Sequence, residues 1–300
     1  MPLGLTSANV DAAVRILRAG GLVAFPTETV YGLGADADNA VAVASIFKAK
    51  GRPAGRPLTI HIGTRANPQR WCHWTAQAQA LADRFWPGPL TLILPKREGV
   101  SDIVTGGLDT VGIRMPRHPM ALALLDGFGG GVAAPSANRT GKLSPTTAAH
   151  VRDDLGDRID LVLDGGPCPV GVESTVLSLV GPAPAVLRLG AVPRSALEDL
   201  LGPLVVVGQA EPHYQPETQV IIGPVGPEPC GVIDFSGRPE GFVGTWIQAP
   251  RDPIVYARHL YTWLRQLDTA GHQRIFVAPV PDEPAWETVA DRLAASANTG

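Results

Sequence analysis

Residues 22–62 read LVAFPTETVYGLGADADNAVAVASIFKAKGRPAGRPLTIHI, and the fold class follows from how this stretch divides. Its first four residues form a short apolar run stopped by Pro26, which is how a buried strand reads. The run NAVAVASIFKAK predicts a helix. LTIHI then alternates, with Leu58, Ile60 and Ile62 on one face and Thr59 and His61 on the other, the period of a strand. Between helix and strand lies FKAKGRPAGRPL, which carries Lys48, Lys50, Arg52 and Arg56 and no acid, in a chain whose formal net charge is -3.

Outward from this unit the alternation continues. SANVDAAVRILRAGG predicts an opening helix, with Val10, Val14 and Leu17 at helical spacing, Ser7 or Asn9 as cap and Gly20-Gly21 as stop. Downstream come helix TAQAQALADRFW, strands LTLIL and VGIRM, helix HPMALALLDGF and strand VAAPS. A further helix is expected at SPTTAAHVRDDLG, with Ser144 as N-cap and Pro145 in the first turn. Strands DLVLDGG, STVLSLV and AVLRLG and helix PRSALEDLL close this half. Hairpin-length and crossover-length connections together predict an α/β (α+β) domain with a mixed sheet over residues 1–204.

Residues 205–218, with GQAEPHYQPETQ, read as a linker rich in proline and polar residues. Over 219–300, strands QVIIG, GVIDFSG, GTWIQAP and RIFVAP alternate with two helices, which predicts a smaller, mostly parallel three-layer α/β domain.

Hydrophobic residues make up 45% of the chain and charged ones 18%, a globular composition rather than a disordered one. No apolar run approaches the roughly 18 residues of a membrane span, and the first residues lack a signal-peptide layout, so a cytoplasmic protein is expected. The three cysteines, Cys72, Cys168 and Cys230, form no CxxC pair. A slightly acidic chain is a poor duplex binder, so local positive charge points to a small anionic ligand.

The usual nucleotide motifs are absent: Gly32-x-Gly34 lacks a third glycine at dinucleotide-binding spacing, and Gly141-Lys142 lacks the upstream glycine of a P-loop. A nucleotide, if bound, must be held in some other way. Lys48 and Lys50 suit the negative end of a helix dipole. Arg52 and Arg56 each precede a proline, which holds them on extended backbone, and an arginine fork matches two phosphate oxygens. The cationic turn therefore reads as a phosphate site. Thr27, Glu28 and Thr29, and likewise Ser136, Asn138, Arg139, Lys142 and Ser144, follow buried strands, where open sheets place ligands. The same residues also serve as ordinary turns and caps. Arg114 and Arg188 fall in apolar strands, and each needs an anion, either a core carboxylate or a bound one.

Taken together, GGLVAFPTETVYGLGADA, KAKGRP, PLTIHI, WPGPLTLIL, TVGIRMP, APSANRTGKLSPT, DGG and GVESTVLSL closely resemble the YrdC-like family of threonylcarbamoyl-AMP synthases, over roughly residues 8–200. The linker and the segment after it resemble the long, two-domain form. The resemblance implies an open twisted α/β domain with a positively lined cavity. The implied reaction joins L-threonine, bicarbonate and ATP, accompanied by Mg2+, into threonylcarbamoyl-AMP and pyrophosphate. A partner complex would pass the product to tRNA, with at most weak tRNA contact by this chain.

Carried over by residue, the resemblance puts Lys50, Arg52, Ser136 and Asn138 at the nucleotide phosphates in catalytic roles. Thr110, Ser144 and Arg188 become further nucleotide contacts, and Tyr214 a residue covering the nucleotide. Thr29, His61, Arg114, Ser174 and the Ala134 backbone would hold threonine, whose carboxylate would be the anion for Arg114. Arg56 departs from the family pattern, and its phosphate contact rests on the local reading alone. Two rivals remain: a binding module that uses the same cavity without reaction, and a carbamoyl-transfer enzyme of hydrogenase maturation, which carries CxxC zinc motifs that this chain lacks.

Overall fold

A computed structural model describes residues 7–208, 215–226 and 229–297. The chain opens with α1 (Ser7–Arg18), β1 (Val23–Phe25), β2 (Gly32–Asp36), α2 (Ala40–Lys50) and β3 (Thr59–His61). Then come α3 (Ala76–Phe85), β4 (Leu90–Pro95), α4 (Asp102–Thr105), β5 (Thr110–Arg114), α5 (Pro119–Phe128) and β6 (Val132–Ala134). The first unit ends with α6 (Ala148–Leu155), β7 (Leu161–Val162), β8 (Thr175–Ser178), β9 (Ala185–Arg188), α7 (Arg194–Leu201) and β10 (Val205–Val206). Its strands form one mixed sheet in the order β10-β9-β8-β4-β5-β3-β6-β2-β1-β7. Residues 205–206, read from sequence as linker, instead extend this sheet by pairing parallel to β9.

The glycine pair of YGLGADAD lies in a strand. Gly32–Asp36 pairs antiparallel to β1 as a strand, and its glycines keep one face bare. A Cβ on Gly34 would stand 2.6 Å from Val132 and 2.8 Å from the Phe25 ring, which lies across that face. Asn39 caps α2 by accepting from Val41 and Ala42, and Gly51, at φ 60°, ends it and turns the chain into the cationic segment. The helix expected to start at Ser144 begins later, at Ala148, with Thr147 as its cap. The reason is that the carbonyls of Pro145 and Thr146 already accept from Tyr31 and Cys168, which holds that segment extended.

The two faces of the large sheet are covered unequally. Apolar residues on one face, among them Ala24, Leu33, Ile60, Leu92, Ile113 and Leu177, form a single core with α2, α3, α6 and α7. On the other face, α1 and α5 cover Val23, Phe25, Val132, Ala134 and the β7 end at Leu161 and Leu163. Over β3, β5, β4, β8 and β9 that second face is left for something else.

The second unit holds β11 (Gln219–Ile222), β12 (Cys230–Asp234), β13 (Gly244–Gln248), α8 (Pro253–Thr269), β14 (Arg274–Val277) and α9 (Glu287–Ser296). Its sheet, ordered β11-β14-β12-β13, is parallel throughout. Asp252 caps α8 ahead of Pro253. Both helices share a core with Val220, Ile233, Ile275 and Val277, and that core continues into Val30, Leu143 and Val172 of the first unit. The opposite face carries a small cluster of Cys230, Val232, Phe242 and Phe276. The two units therefore share apolar surface. No helix among the described residues is long and apolar enough to cross a membrane.

Candidate active site

Strand register builds the uncovered face. Thr59 stands opposite both Gly112 and Ala134, and His61 opposite Arg114. Because side chains alternate along a strand, Thr59, His61, Arg114 and Ala134 project together while their apolar neighbours enter the core. Thr91 of β4 reaches the Ser174 hydroxyl at 2.9 Å. Arg188 of β9 donates to the Ser174 carbonyl at 2.8 and 3.1 Å and to its hydroxyl at 3.1 Å. The sequence reading looked for a ligand at strand ends. The structure instead spreads these groups across a sheet face, under a basin of about 630 Å³ that they line with Tyr31, Lys50, Arg52, Arg56, Ser136 and Asn138.

The floor is paired from within, except that Arg114 Nε finds no hydrogen-bond partner among the described residues. Arg114, 5% exposed, donates to Glu28 at 2.8 Å and to the Thr29 hydroxyl at 2.9 Å, and the second Glu28 oxygen accepts from the Arg117 backbone at 2.8 Å. A core carboxylate, Glu28, is thus the resident anion for Arg114, which also lines the basin. His61 lies edge-on to Phe25. Burial first, and the Arg114 charge second, push its pKa down to about 3, so it is neutral near pH 7.

The wall made by α2 and residues 135–141 is anchored by Lys50. Its ammonium donates to the carbonyls of Ser136 and Asn138 and to Asn138 Oδ1. The Ser136 hydroxyl donates to Asn138 Oδ1 at 2.5 Å, and the Asn138 amide donates to Arg139 and Lys142 carbonyls. Lys50 is 3% exposed, and burial, aided by the Arg52 charge, lowers its pKa to about 7. Arg52 and Arg56 are half-buried at the lip, with one Arg52 nitrogen 3.3 Å from the Pro57 carbonyl.

Of the expected site residues, the basin gathers Lys50, Arg52, Arg56, His61, Arg114, Ala134, Ser136, Asn138, Ser174 and Arg188. Three do not line it. Thr29 is fully buried and bound to Arg114. Thr110 begins β5 opposite Pro95. Ser144 is fully buried beside Glu173. Tyr214 lies outside the described residues. The sequence reading missed Glu173 and Arg292, which also line the basin. Arg292 Nε donates to Glu173 Oε2 at 2.6 Å across 119 positions of chain, a pairing no local pattern announces.

Over residues 15–190 the chain matches the family model for Sua5, YciO and YrdC proteins, described as telomere recombination. Over 194–298 it matches the model described as the threonylcarbamoyl-AMP synthase C-terminal domain. The chain belongs to the Sua5/YciO/YrdC family. Within the family it is similar to the threonylcarbamoyl-AMP synthase of Pyrococcus abyssi, at 39% identity over 95% of this chain and 93% of that one. The threonylcarbamoyl-AMP synthase of Bacillus subtilis is 44% identical over 75% of this chain and 70% of its own. Among solved structures, P. abyssi Sua5 complexed with L-threonine superposes with a TM-score of 0.88, at 38% identity over 96% of this chain and 93% of that chain. Full-length HypF, at 20% identity and a TM-score of 0.55, shares the fold of part of the chain.

Proposed function

We propose that this chain is an L-threonylcarbamoyladenylate synthase, a nucleotidyltransferase that makes threonylcarbamoyl-AMP and pyrophosphate from L-threonine, bicarbonate and ATP. One observation carries the reading. A single basin joins a cationic lip to a floor of hydroxyls, a neutral histidine and an arginine, in a chain that follows threonine-bound P. abyssi Sua5 nearly end to end.

The residues suit the chemistry in sequence. His61, Arg114, Ser174 and the Ala134 backbone form the threonine side of the basin, and Thr29 acts from behind by bracing Arg114. The threonine amine, losing a proton, combines with bicarbonate to give a carbamate and water. A carbamate oxygen then attacks the α-phosphorus of ATP and pyrophosphate leaves. Such a transfer needs positioning and charge stabilisation rather than a protein nucleophile. Arg52, Arg56 and Arg188 supply that charge, and Lys50, Ser136 and Asn138 shape the wall beside the phosphates.

Magnesium enters as part of the MgATP substrate. The basin's donor set does not fit a protein-held Mg2+, because Glu173 is bound to Arg292, and Glu28, beneath the floor, to Arg114. The reading places the protein in the cytoplasm, handing its product to a complex that modifies tRNA. Residues 1–204 would carry the reaction, with the linker and small domain regulating access. Pyrophosphate release measured with each substrate omitted in turn tests the proposal. Release that needs threonine, bicarbonate and ATP together is expected, and release indifferent to threonine overturns it.

A further inference from the structure

Of the ion pairs that join the two units, Arg265–Asp154 and Arg292–Glu173 are more buried than Arg194–Glu287 and Lys142–Glu217, and these two differ in one respect. Arg265 of α8 donates to Asp154 at 2.7 and 3.2 Å and to the Leu143 carbonyl, away from the basin lining. Arg292 of α9, fully buried, donates to Glu173 at 2.6 Å and to the Leu189 carbonyl at 2.6 Å, and it pairs with Asp291. Tyr261 of α8 adds its hydroxyl to both Glu173 oxygens, at 3.0 and 3.1 Å.

Glu173 precedes Ser174, and Leu189 follows Arg188. The single planar fork of Arg292 therefore grips the chain beside each of two basin residues that are themselves hydrogen-bonded to one another. Burial works against ionised Glu173, but Arg292, Arg188 and Ser144 hold its carboxyl below the ordinary range.

We propose that Arg292, supplied by the small domain, is a positioning residue for the reaction: it sets the separation of Ser174 and Arg188 and so makes the geometry of the threonine side depend on docking of that domain. This rests on the proposed function for the identity of the ligand. A lysine in its place keeps the charge but cannot direct a rigid fork at Glu173 and the Leu189 carbonyl together.

The test compares Arg292→Lys with Arg265→Lys in the full-length chain, using initial rates of pyrophosphate release. Arg292→Lys is expected to raise the KM for threonine about tenfold, the cost of misplacing a contact. Arg265→Lys, with the same chemical change at an interdomain pair away from the basin lining, is expected to stay within about twofold. A merely structural role would lower the folded fraction, hence kcat, and leave KM unchanged. An unchanged KM for Arg292→Lys, or an equal rise for Arg265→Lys, overturns the proposal. Should Arg292→Lys not fold, Glu173→Gln keeps the shape and the tyrosine bond while loosening the same grip, and the same rise in KM is required. Should the wild-type chain release no pyrophosphate, the reading of the reaction fails. Threonine affinity by calorimetry then decides the role of Arg292 on the same criteria.

Discussion

The floor and the lip of the basin hold the same kinds of cation in opposite ways. On the floor, Arg114 is 5% exposed and already bound to Glu28 and Thr29. At the lip, Arg52 and Arg56 are half-buried on a glycine- and proline-bounded turn. A buried arginine without a carboxylate would be costly, so the floor is neutralised from within and serves as a rigid template. Half-buried arginines keep much of their hydration, so the lip is more open to solvent than Arg114 on the floor. Burial thus distinguishes two parts of one basin.

The largest effect is expected on the floor. Arg114→Met leaves Glu28 buried without its charge partner, and it should lower unfolding stability by about 3–5 kcal/mol. Glu28→Gln combined with Arg114→Met removes both charges and should recover most of that loss in urea denaturation, while pyrophosphate release stays abolished. If the double variant is no more stable than the single one, the pair is not the source of the loss, and the floor is no more internally neutralised than the lip.

This contrast was only half legible in the sequence. The order of elements around residues 22–62 was readable because LTIHI keeps a strict two-residue period and NAVAVASIFKAK is bounded by a capping asparagine and a terminating glycine. Strand β2 escaped because two of its five residues are glycines, which pack the Phe25 ring and show no apolar alternation. The start of α6 was misplaced because Ser144 and Pro145 resemble a cap, whereas long-range backbone bonds from Tyr31 and Cys168 decide the matter. Site residues on the cationic turn were found from local charge. Glu28 was seen only as part of a polar rim, and Glu173 and Arg292 were not seen, since their partners come from distant parts of the chain.

The lip answers differently to the same kind of change. Arg52→Ala is expected to lower kcat/KM for ATP roughly 10- to 100-fold, the equivalent of about 1.5–3 kcal/mol for a hydrogen bond to a charged group. Stability should move by no more than about 0.5 kcal/mol, as for other partly exposed sites. Thermal unfolding and initial rates on the same preparation separate the two. A loss of stability matching the loss of activity would make Arg52 a part of the scaffold, like Arg114, and would dissolve the distinction between lip and floor.

Lys50 stands between these regions, and its protonation is the finest measure of the difference. The sequence alone grouped it with Arg52, yet its ammonium is buried and bound to the 136–138 segment. Its pKa in the free protein is lowered to about 7, so above pH 7 the ammonium increasingly loses its proton. An ATP phosphate arriving at the adjacent lip favours the charged form and raises that pKa. Binding must then take up a proton above pH 7, and ATP affinity should weaken by at most about tenfold, roughly 1.4 kcal/mol, for each pH unit of rise. Calorimetry at pH 8 in two buffers of different ionisation enthalpy should show proton uptake of at most one per site, and Lys50→Met should abolish it. Uptake that persists in Lys50→Met would move the titrating group elsewhere, and would leave Lys50 as a purely structural part of the wall.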